Sequence, residues 1–179
     1  MGSAGTGYIW GMRGLYAVTG VLILFIQLLP LETVPRGWVA PDFILCITMV
    51  WVARRPDLAP VWLIAAMFLL TDLLLQRPPG LWSALALVAT EVLRTRTSDL
   101  KDTTFAFEWA LVSAIIVCFY LALTVAWALL VPFEISRSLL ALQMIFTILI
   151  YPAMAALSAA VFQVSKAAPG QTDALGRKL

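Results

Sequence analysis

The chain has 179 residues, of which 62% are hydrophobic and only 12% are charged, and its mean hydropathy is +0.95. A soluble domain is about 45–50% apolar and about 25% charged, so a water-soluble fold of this size cannot bury so many apolar side chains. The composition therefore excludes an ordinary soluble domain and indicates an integral membrane protein with a single transmembrane domain. The chain has no histidine, the commonest general base and metal ligand, and no cofactor is expected.

Six apolar runs, taken in chain order, predict the membrane spans. They lie at about 15–34, 38–53, 60–76, 80–93, 105–131 and 138–164. A spanning helix needs about 20 apolar residues, so the first, fifth and sixth runs are long enough and the other three are short. The third and fourth runs either complete their length with flanking polar residues or form a hairpin that enters the membrane and returns. The predicted fold is an all-α compact bundle of about six transmembrane helices, between a cytoplasmic tether at 1–13 and a disordered cytoplasmic tail at 165–179.

Basic residues fall unevenly on the two sides that these spans define. If the N-terminus is cytoplasmic, nine of the twelve Lys and Arg residues lie on the cytoplasmic side. Positive residues concentrate in cytoplasmic loops, so the distribution predicts that both termini face the cytoplasm. Tryptophans close to the predicted helix ends, among them Trp51, Trp62 and Trp82, are expected at the membrane–water interfaces.

The stretch LLTDLLLQRPPG, at positions 69–80, places an acid inside an apolar run. An ionised aspartate at mid-bilayer costs about 2.5–3.5 kcal/mol on insertion scales, so Asp72 must be paired, neutralised or turned toward protein. Two structural alternatives are an ion pair with Arg77 and a hydrogen bond to the amides of a neighbouring broken helix. A ligand site and a contact with a partner protein remain open as well. Pro78 ends the helix, and Gly80 permits a sharp return.

Two other acids have simpler interpretations. Pro41 and Asp42 suit the start of the second helix, because proline needs no amide donor there and a carboxylate favours the positive end of the helix dipole. Glu91 lies one helical turn before Arg94, which predicts a local pair at the cytoplasmic end.

Small residues follow the proline of the last run. Pro152 predicts a kink, and the sequence AMAALSAAV after it places Ala155 and Ala159 four residues apart, and likewise Ala156 and Ala160. Ladders of small residues let helices approach closely in lipid. They indicate either packing within the bundle or a contact with the single helix of another protein.

No catalytic constellation is visible in the sequence. There is no Cys/His cluster, no phosphate-binding loop and no serine beside a general base, so an enzymatic activity is not expected. The basic loops lack the interleaved aromatic residues that would suggest nucleic acid, and no nucleic-acid partner is expected. The Arg54-Arg55-Pro56 turn and the loop at 94–101 are expected to face the cytoplasm, where they meet anionic membrane lipid, at about 1 kcal/mol for each basic residue, or an acidic protein surface.

An ordered set of motif residues occupies segment 40–85: Pro41, Asp42, Trp51, Arg54, Arg55, Pro56, Asp72, Arg77, Pro78 and Gly80. In this order they resemble the rod-shape-determining protein MreD family of bacteria. That family has a Pro-Asp at the start of a short helix, a Trp before an Arg-Arg-Pro turn, and an Asp before a Gly-Arg-Pro-Leu-Gly-like turn. Here Gln76 and Pro79 stand where the family pattern has glycine and leucine, and Thr71 replaces a small apolar residue.

The resemblance implies a fold, a function and partners. The fold would be similar to that of the substrate-binding subunits of energy-coupling-factor transporters. The protein would be a non-enzymatic scaffold of the rod complex, or elongasome, in the bacterial cytoplasmic membrane, where it would help confine lateral peptidoglycan synthesis and maintain rod cell shape. It would dock an MreC-like protein and be linked to RodA with its penicillin-binding transpeptidase and, indirectly, to the actin-like MreB. The alternative is a small-molecule-binding subunit of a vitamin-type transporter, with polar candidates Asp42, Asp72, Glu91 and Gln143.

Overall fold

The structure, a computed structural model, describes residues 3–29, 39–100, 103–130 and 137–162. Within these ranges the chain is all-helical and contains no strand. Its seven helices are α1 (Ser3–Leu28), α2 (Phe43–Arg54), α3 (Val61–Leu74), α4 (Leu81–Thr95), α5 (Thr97–Leu100), α6 (Phe105–Leu130) and α7 (Arg137–Phe162). The all-α prediction is confirmed.

Three of these helices are long and apolar enough to cross a membrane. The qualifying segments are Thr6–Leu28, Phe105–Leu129 and Ser138–Val161. They correspond to the first, fifth and sixth apolar runs of the sequence. Helices α2 and α3 are also apolar but shorter. Length and composition thus indicate a membrane protein with three long helices and a set of short ones.

Helix α2 forms the centre of the bundle. Every residue from Ile44 to Ala53 is buried, and α2 packs against α7, α4 and α1. Helix α4 also contacts α3 and α6, and α6 contacts α7. A helix enclosed on all sides needs no polar face, which explains why the α2 sequence is apolar around its whole circumference.

Two of the tryptophans expected at the membrane interfaces are buried in the bundle. Trp51 is fully buried in α2, with its ring centroid 5.4 Å from that of Tyr16. Trp82 is buried in α4 and makes edge contacts with Phe119 and Tyr120. Short central helices are covered by their neighbours even at their ends, so these two rings face protein.

Helix α1 begins at Ser3, so it includes most of the segment that the sequence predicts as a tether. Tertiary contacts hold this part in place. The Arg13 guanidinium donates to the carbonyl oxygen of Asp57 at 3.0 and 3.3 Å, and the Trp10 ring lies against Trp62. Gly20 also lets α1 approach α3 closely, because a Cβ there would collide with the end of the Met67 side chain.

The turn between α3 and α4 uses two residues with positive φ. Gln76 has φ of 53° and Gly80 has φ of 91°. Gly80 confirms the prediction of a sharp return at that position. Gln76 stands where the MreD pattern has glycine, and a non-glycine residue in this region costs about 1–2 kcal/mol. The turn therefore adopts a left-handed backbone at position 76 without a glycine there.

Candidate functional site

Asp72 caps the start of α4 from within α3. Its buried carboxylate oxygen Oδ2 accepts hydrogen bonds from the Gly80 N–H at 3.0 Å, the Ser83 N–H at 3.2 Å and the Ser83 hydroxyl at 2.6 Å. Gly80 is the N-cap residue of α4, and Ser83 is the third residue of that helix. The free amides and the positive dipole end of a helix both favour an anion there. One carboxylate thus joins the end of α3 to the beginning of α4.

Of the two structural alternatives for Asp72, the bond to neighbouring helix amides is confirmed. No ion pair joins Asp72 to Arg77, both of which lie in the described part of the chain. The Arg77 main-chain N–H instead donates to the Asp72 carbonyl oxygen at 3.0 Å. The Arg77 guanidinium carbon lies 4.0 Å from the ring centroid of Trp82, a cation–π contact.

Asp42 is the N-cap of α2, in agreement with its predicted place at the start of that helix. Its Oδ1 accepts from the Leu45 N–H at 2.9 Å. Its own N–H donates to the Thr147 hydroxyl at 3.0 Å, and the Cys46 thiol donates to the Thr147 carbonyl oxygen at 3.3 Å. Thr147 therefore fastens the start of α2 to α7.

A buried ion pair at the other end of the bundle was missed by the sequence analysis. Glu108 is 0% exposed in the first turn of α6, and its Oε1 lies 3.3 Å from Arg54 Nε. The same oxygen accepts a hydrogen bond from the Tyr151 hydroxyl at 3.1 Å, and Arg54 Nη1 donates to the Ala155 carbonyl oxygen at 3.1 Å. These four residues connect α2, α6 and α7. The signal available in the sequence was Glu108 itself, an acid inside the apolar run FAFEWAL.

The Arg54-Arg55-Pro56 turn is held by arginines from other helices. Arg94 forms the predicted pair with Glu91, at 2.8 Å, and donates at 2.7 Å to the carbonyl oxygens of Pro56 and Ala59. Arg54, expected to face the cytoplasm, is only 11% exposed because it turns inward to Glu108. That expectation was wrong for Arg54.

The motif residues that resemble MreD do not converge on one site. Pro41 and Asp42 before α2 line the same cleft as Arg77 after α3, and Asp72 accepts a hydrogen bond from Gly80. The residues Pro41, Asp42, Asp72, Arg77, Pro78 and Gly80 therefore lie at one end of the bundle. The residues at 54–56 lie at the opposite end, and Trp51 packs in the core near them. The motif therefore specifies two helix-connecting turns and the central helix between them.

A cleft of about 610 Å³ lies between α1 and α7, with the start of α2 and the end of α3 also lining it. Its polar lining includes Gln27, Asp42, Arg77 and Gln143. Of the polar residues proposed for a carrier, Asp42 and Gln143 line this cleft. Asp72 and Glu91 do not, and both are engaged elsewhere.

The outward face of α6 carries a ladder of small residues. Exposed small side chains occur at every fourth position, at Ala106, Ala110, Ala114, Cys118 and Ala122. The two α7 ladders differ in exposure. Ala155 is buried, which agrees with packing within the bundle, whereas Ala156 and Ala160 are exposed and could contact the helix of another protein. The longer α6 ladder was not predicted, although its four-residue spacing is visible in the sequence.

Comparisons with protein-family models, with curated proteins and with solved structures give no match for this chain. Among the residues that the structure describes, no group of three or more His, Cys, Asp or Glu side chains is placed to hold a metal ion. The function is therefore argued from the packing of the bundle, its polar contacts and its outward faces.

Proposed function

We propose that this protein is a non-enzymatic membrane scaffold of the MreD type, which docks the single span of an MreC-like protein. The observation that carries the proposal is the outward α6 ladder from Ala106 to Ala122. In lipid, hydrophobicity gives no net attraction between helices, so association depends on close van der Waals packing and a few hydrogen bonds. A continuous row of small side chains provides the close approach that such packing needs.

The spacing of the ladder also predicts how the partner helix crosses. Residues four apart form the i±4 ridge of a helix, and small residues on this ridge favour a right-handed crossing of about −40°. The exposed Cys118 lies within this row, so it would lie close to the partner helix.

The internal polar contacts support a preformed scaffold. Asp72 connects α3 to α4, and the Arg54–Glu108 pair connects α2 to α6. A bundle that is fixed by its own contacts loses little conformational entropy when a partner docks. In this proposal the buried acids therefore stabilise the bundle, and the partner contact is made by small apolar side chains.

The remaining expectations form part of the same proposal. The bundle crosses the bacterial cytoplasmic membrane about six times with both termini in the cytoplasm, and its fold is similar to that of the energy-coupling-factor subunits. Arg13 and Arg94 both donate hydrogen bonds to the turn at 55–60. These contacts support the proposal that the three predicted cytoplasmic segments lie at the same end of the bundle. Through the MreC-like protein the scaffold would be linked to RodA with its penicillin-binding transpeptidase and to MreB. It would thereby help confine lateral peptidoglycan synthesis and maintain rod shape.

Cysteine cross-linking tests the docking face. The full chain, with its buried Cys46 replaced by Ser, is co-expressed with an MreC-like protein that carries single cysteines along its span. Oxidation is expected to link Cys118 to partner positions that recur at the helical period. Ala114→Leu should abolish both the cross-link and co-purification, whereas Ala156→Leu on α7 is the matched control and should leave them intact. If only Ala156→Leu abolishes the cross-link and co-purification, the docking face lies on α7. If the MreC-like protein does not co-purify with the unaltered chain, the scaffold proposal is refuted.

The second candidate is the small-molecule-binding subunit of a vitamin-type transporter, and the cleft between α1 and α7 favours it. A volume of about 610 Å³ falls within the range of small-molecule sites, about 300–1,000 Å³. A metabolite retained by gently purified protein, with no partner polypeptide bound, would support this candidate. Rounding of cells on depletion, together with co-purification of the MreC-like protein, would support the scaffold.

A further inference from the structure

Polar and apolar residues are separated along the cleft between α1 and α7. Gln27 near the end of α1, Asp42 before α2, Arg77 after α3 and Gln143 near the start of α7 all line the same cleft. These positions belong to one end of the bundle, since α1 and α3 finish there and α2 and α7 begin there. A polar group entering the cleft would be received at that end.

Apart from Thr19, the rest of the cleft is lined by apolar side chains. Ile23 of α1 and both Met154 and Leu157 of α7 line it. Leu157 lies roughly 21 Å along α7 from Gln143, which is more than half of the ~30 Å thickness of a bilayer's hydrocarbon core. Leu157 is also 50% exposed, so the apolar part of the cleft reaches the outer surface of the bundle. The arrangement fits an amphiphile with its head at one end and its chain directed along the helices.

Arg77 provides a site for an anion at the polar end. Its guanidinium lies over Trp82, its Nη1 is buried with no hydrogen-bond partner, and no described carboxylate forms an ion pair with it. Guanidinium binds phosphate oxygens through parallel N–H donors. A partly buried cation with an unused donor is costly in a membrane protein unless an anion joins it.

Asp42 provides a matching site for a cation. It lines the same cleft and is not paired with Arg77, while its Oδ1 accepts only one hydrogen bond, from Leu45. An ionised carboxylate has about four acceptor positions, so Asp42 retains capacity for an ammonium group. One unpaired charge of each sign is complementary to a zwitterion.

We propose that this cleft binds a phospholipid with a primary amine in its head group, such as phosphatidylethanolamine. The phosphate is held by Arg77, the ammonium group by Asp42, and one acyl chain lies between α1 and α7. The cleft volume of about 610 Å³ accommodates the head group and the upper part of the chain. The rest of the lipid lies in the surrounding bilayer. This proposal is independent of the docking face on α6.

Native mass spectrometry of the full chain in detergent tests the proposal. The protein is incubated separately with dioleoyl phosphatidylethanolamine, phosphatidylcholine and phosphatidylglycerol, and with water-soluble phosphoethanolamine. One phosphatidylethanolamine per chain is expected to remain bound. Arg77→Gln should weaken its binding by about tenfold or more, the factor that corresponds to 1.4 kcal/mol. Asp42→Asn, which keeps an N-cap side chain, should reduce the preference for phosphatidylethanolamine over phosphatidylcholine.

Arg96→Gln is the matched control, because Arg96 is exposed at the other end of α4. It should leave lipid binding unchanged, and the thermal unfolding midpoint of each variant shows whether it is folded. Equal retention of the three lipids by the unaltered chain, or unchanged binding by a folded Arg77→Gln variant, would overturn the proposal. If phosphoethanolamine binds as tightly as the intact lipid, the acyl chain does not contribute to binding, and its proposed place between α1 and α7 is wrong.

Discussion

The indole Nε1 of Trp109 donates a hydrogen bond to the carbonyl oxygen of Ile148, with a donor–acceptor distance of 3.1 Å. In a regular helix that carbonyl accepts from the residue four positions later, which here is Pro152. Proline has no N–H, so the carbonyl would be left without a donor in a membrane, where an unsatisfied backbone group costs several kcal/mol. The tryptophan of α6 therefore supplies the donor that the proline of α7 removes.

Trp109→Phe is expected to lower the free energy of unfolding by about 1–3 kcal/mol, the cost of leaving a buried acceptor unpaired. The loss should be smaller in a Pro152→Ala background, because the alanine N–H can bond to Ile148. Thermal or denaturant unfolding in detergent measures both effects as a double-mutant cycle. Trp127→Phe, on the same helix, is the control for lost ring area. An equal loss in the two backgrounds would show that the indole does not compensate for the proline.

Asp72→Asn is expected to be tolerated better than Asp72→Leu. The asparagine oxygen can still accept from Gly80 and Ser83, whereas leucine leaves three donors unpaired at about 1–3 kcal/mol each. The amount of folded protein in the membrane and its unfolding midpoint measure the difference. Thr71→Val, a buried neighbour of similar shape, should have little effect. Equal losses for the two Asp72 variants would instead indicate that the negative charge itself is required.

Removing one partner of the Arg54–Glu108 pair is expected to cost about 3–5 kcal/mol of unfolding free energy, because the other charge stays buried and loses its oppositely charged partner. The double variant Arg54→Leu/Glu108→Leu should lose clearly less than the sum of the single variants. Asp57→Asn is the comparison, since the Arg55–Asp57 pair is partly exposed with a separation of 3.7 Å. That change should cost less than about 1 kcal/mol. Additive losses at Arg54 and Glu108 would contradict the coupling.

Helix type and helix bounds were largely predictable from the sequence. The apolar runs at 60–76 and 80–93 closely match α3 and α4, and the stop at Pro78 and Gly80 separates them. Local rules suffice here because turn residues and hydrophobic length act within a few positions. The start of α1 was not predictable in this way, since its first part contains glycines and depends on contacts made by Arg13 with a distant turn.

Partners of the buried charges were less predictable. The Glu91–Arg94 pair follows from a spacing of three residues on one helix. Glu108 finds Arg54 only because α2 and α6 meet in space, and no local spacing encodes that meeting. Asp72 and Arg77 are close in sequence but do not pair, because the start of α4 offers the carboxylate three donors.

The sequence alone indicated a membrane protein and predicted the helices found in the described residues, because an apolar surplus and helical length are properties of composition and run length. The tertiary structure alone decided which charges face each other, which tryptophans are buried and which small-residue ladder faces outward. Those outcomes depend on how the helices are placed around α2, and side chains far apart in the chain become neighbours only after that placement.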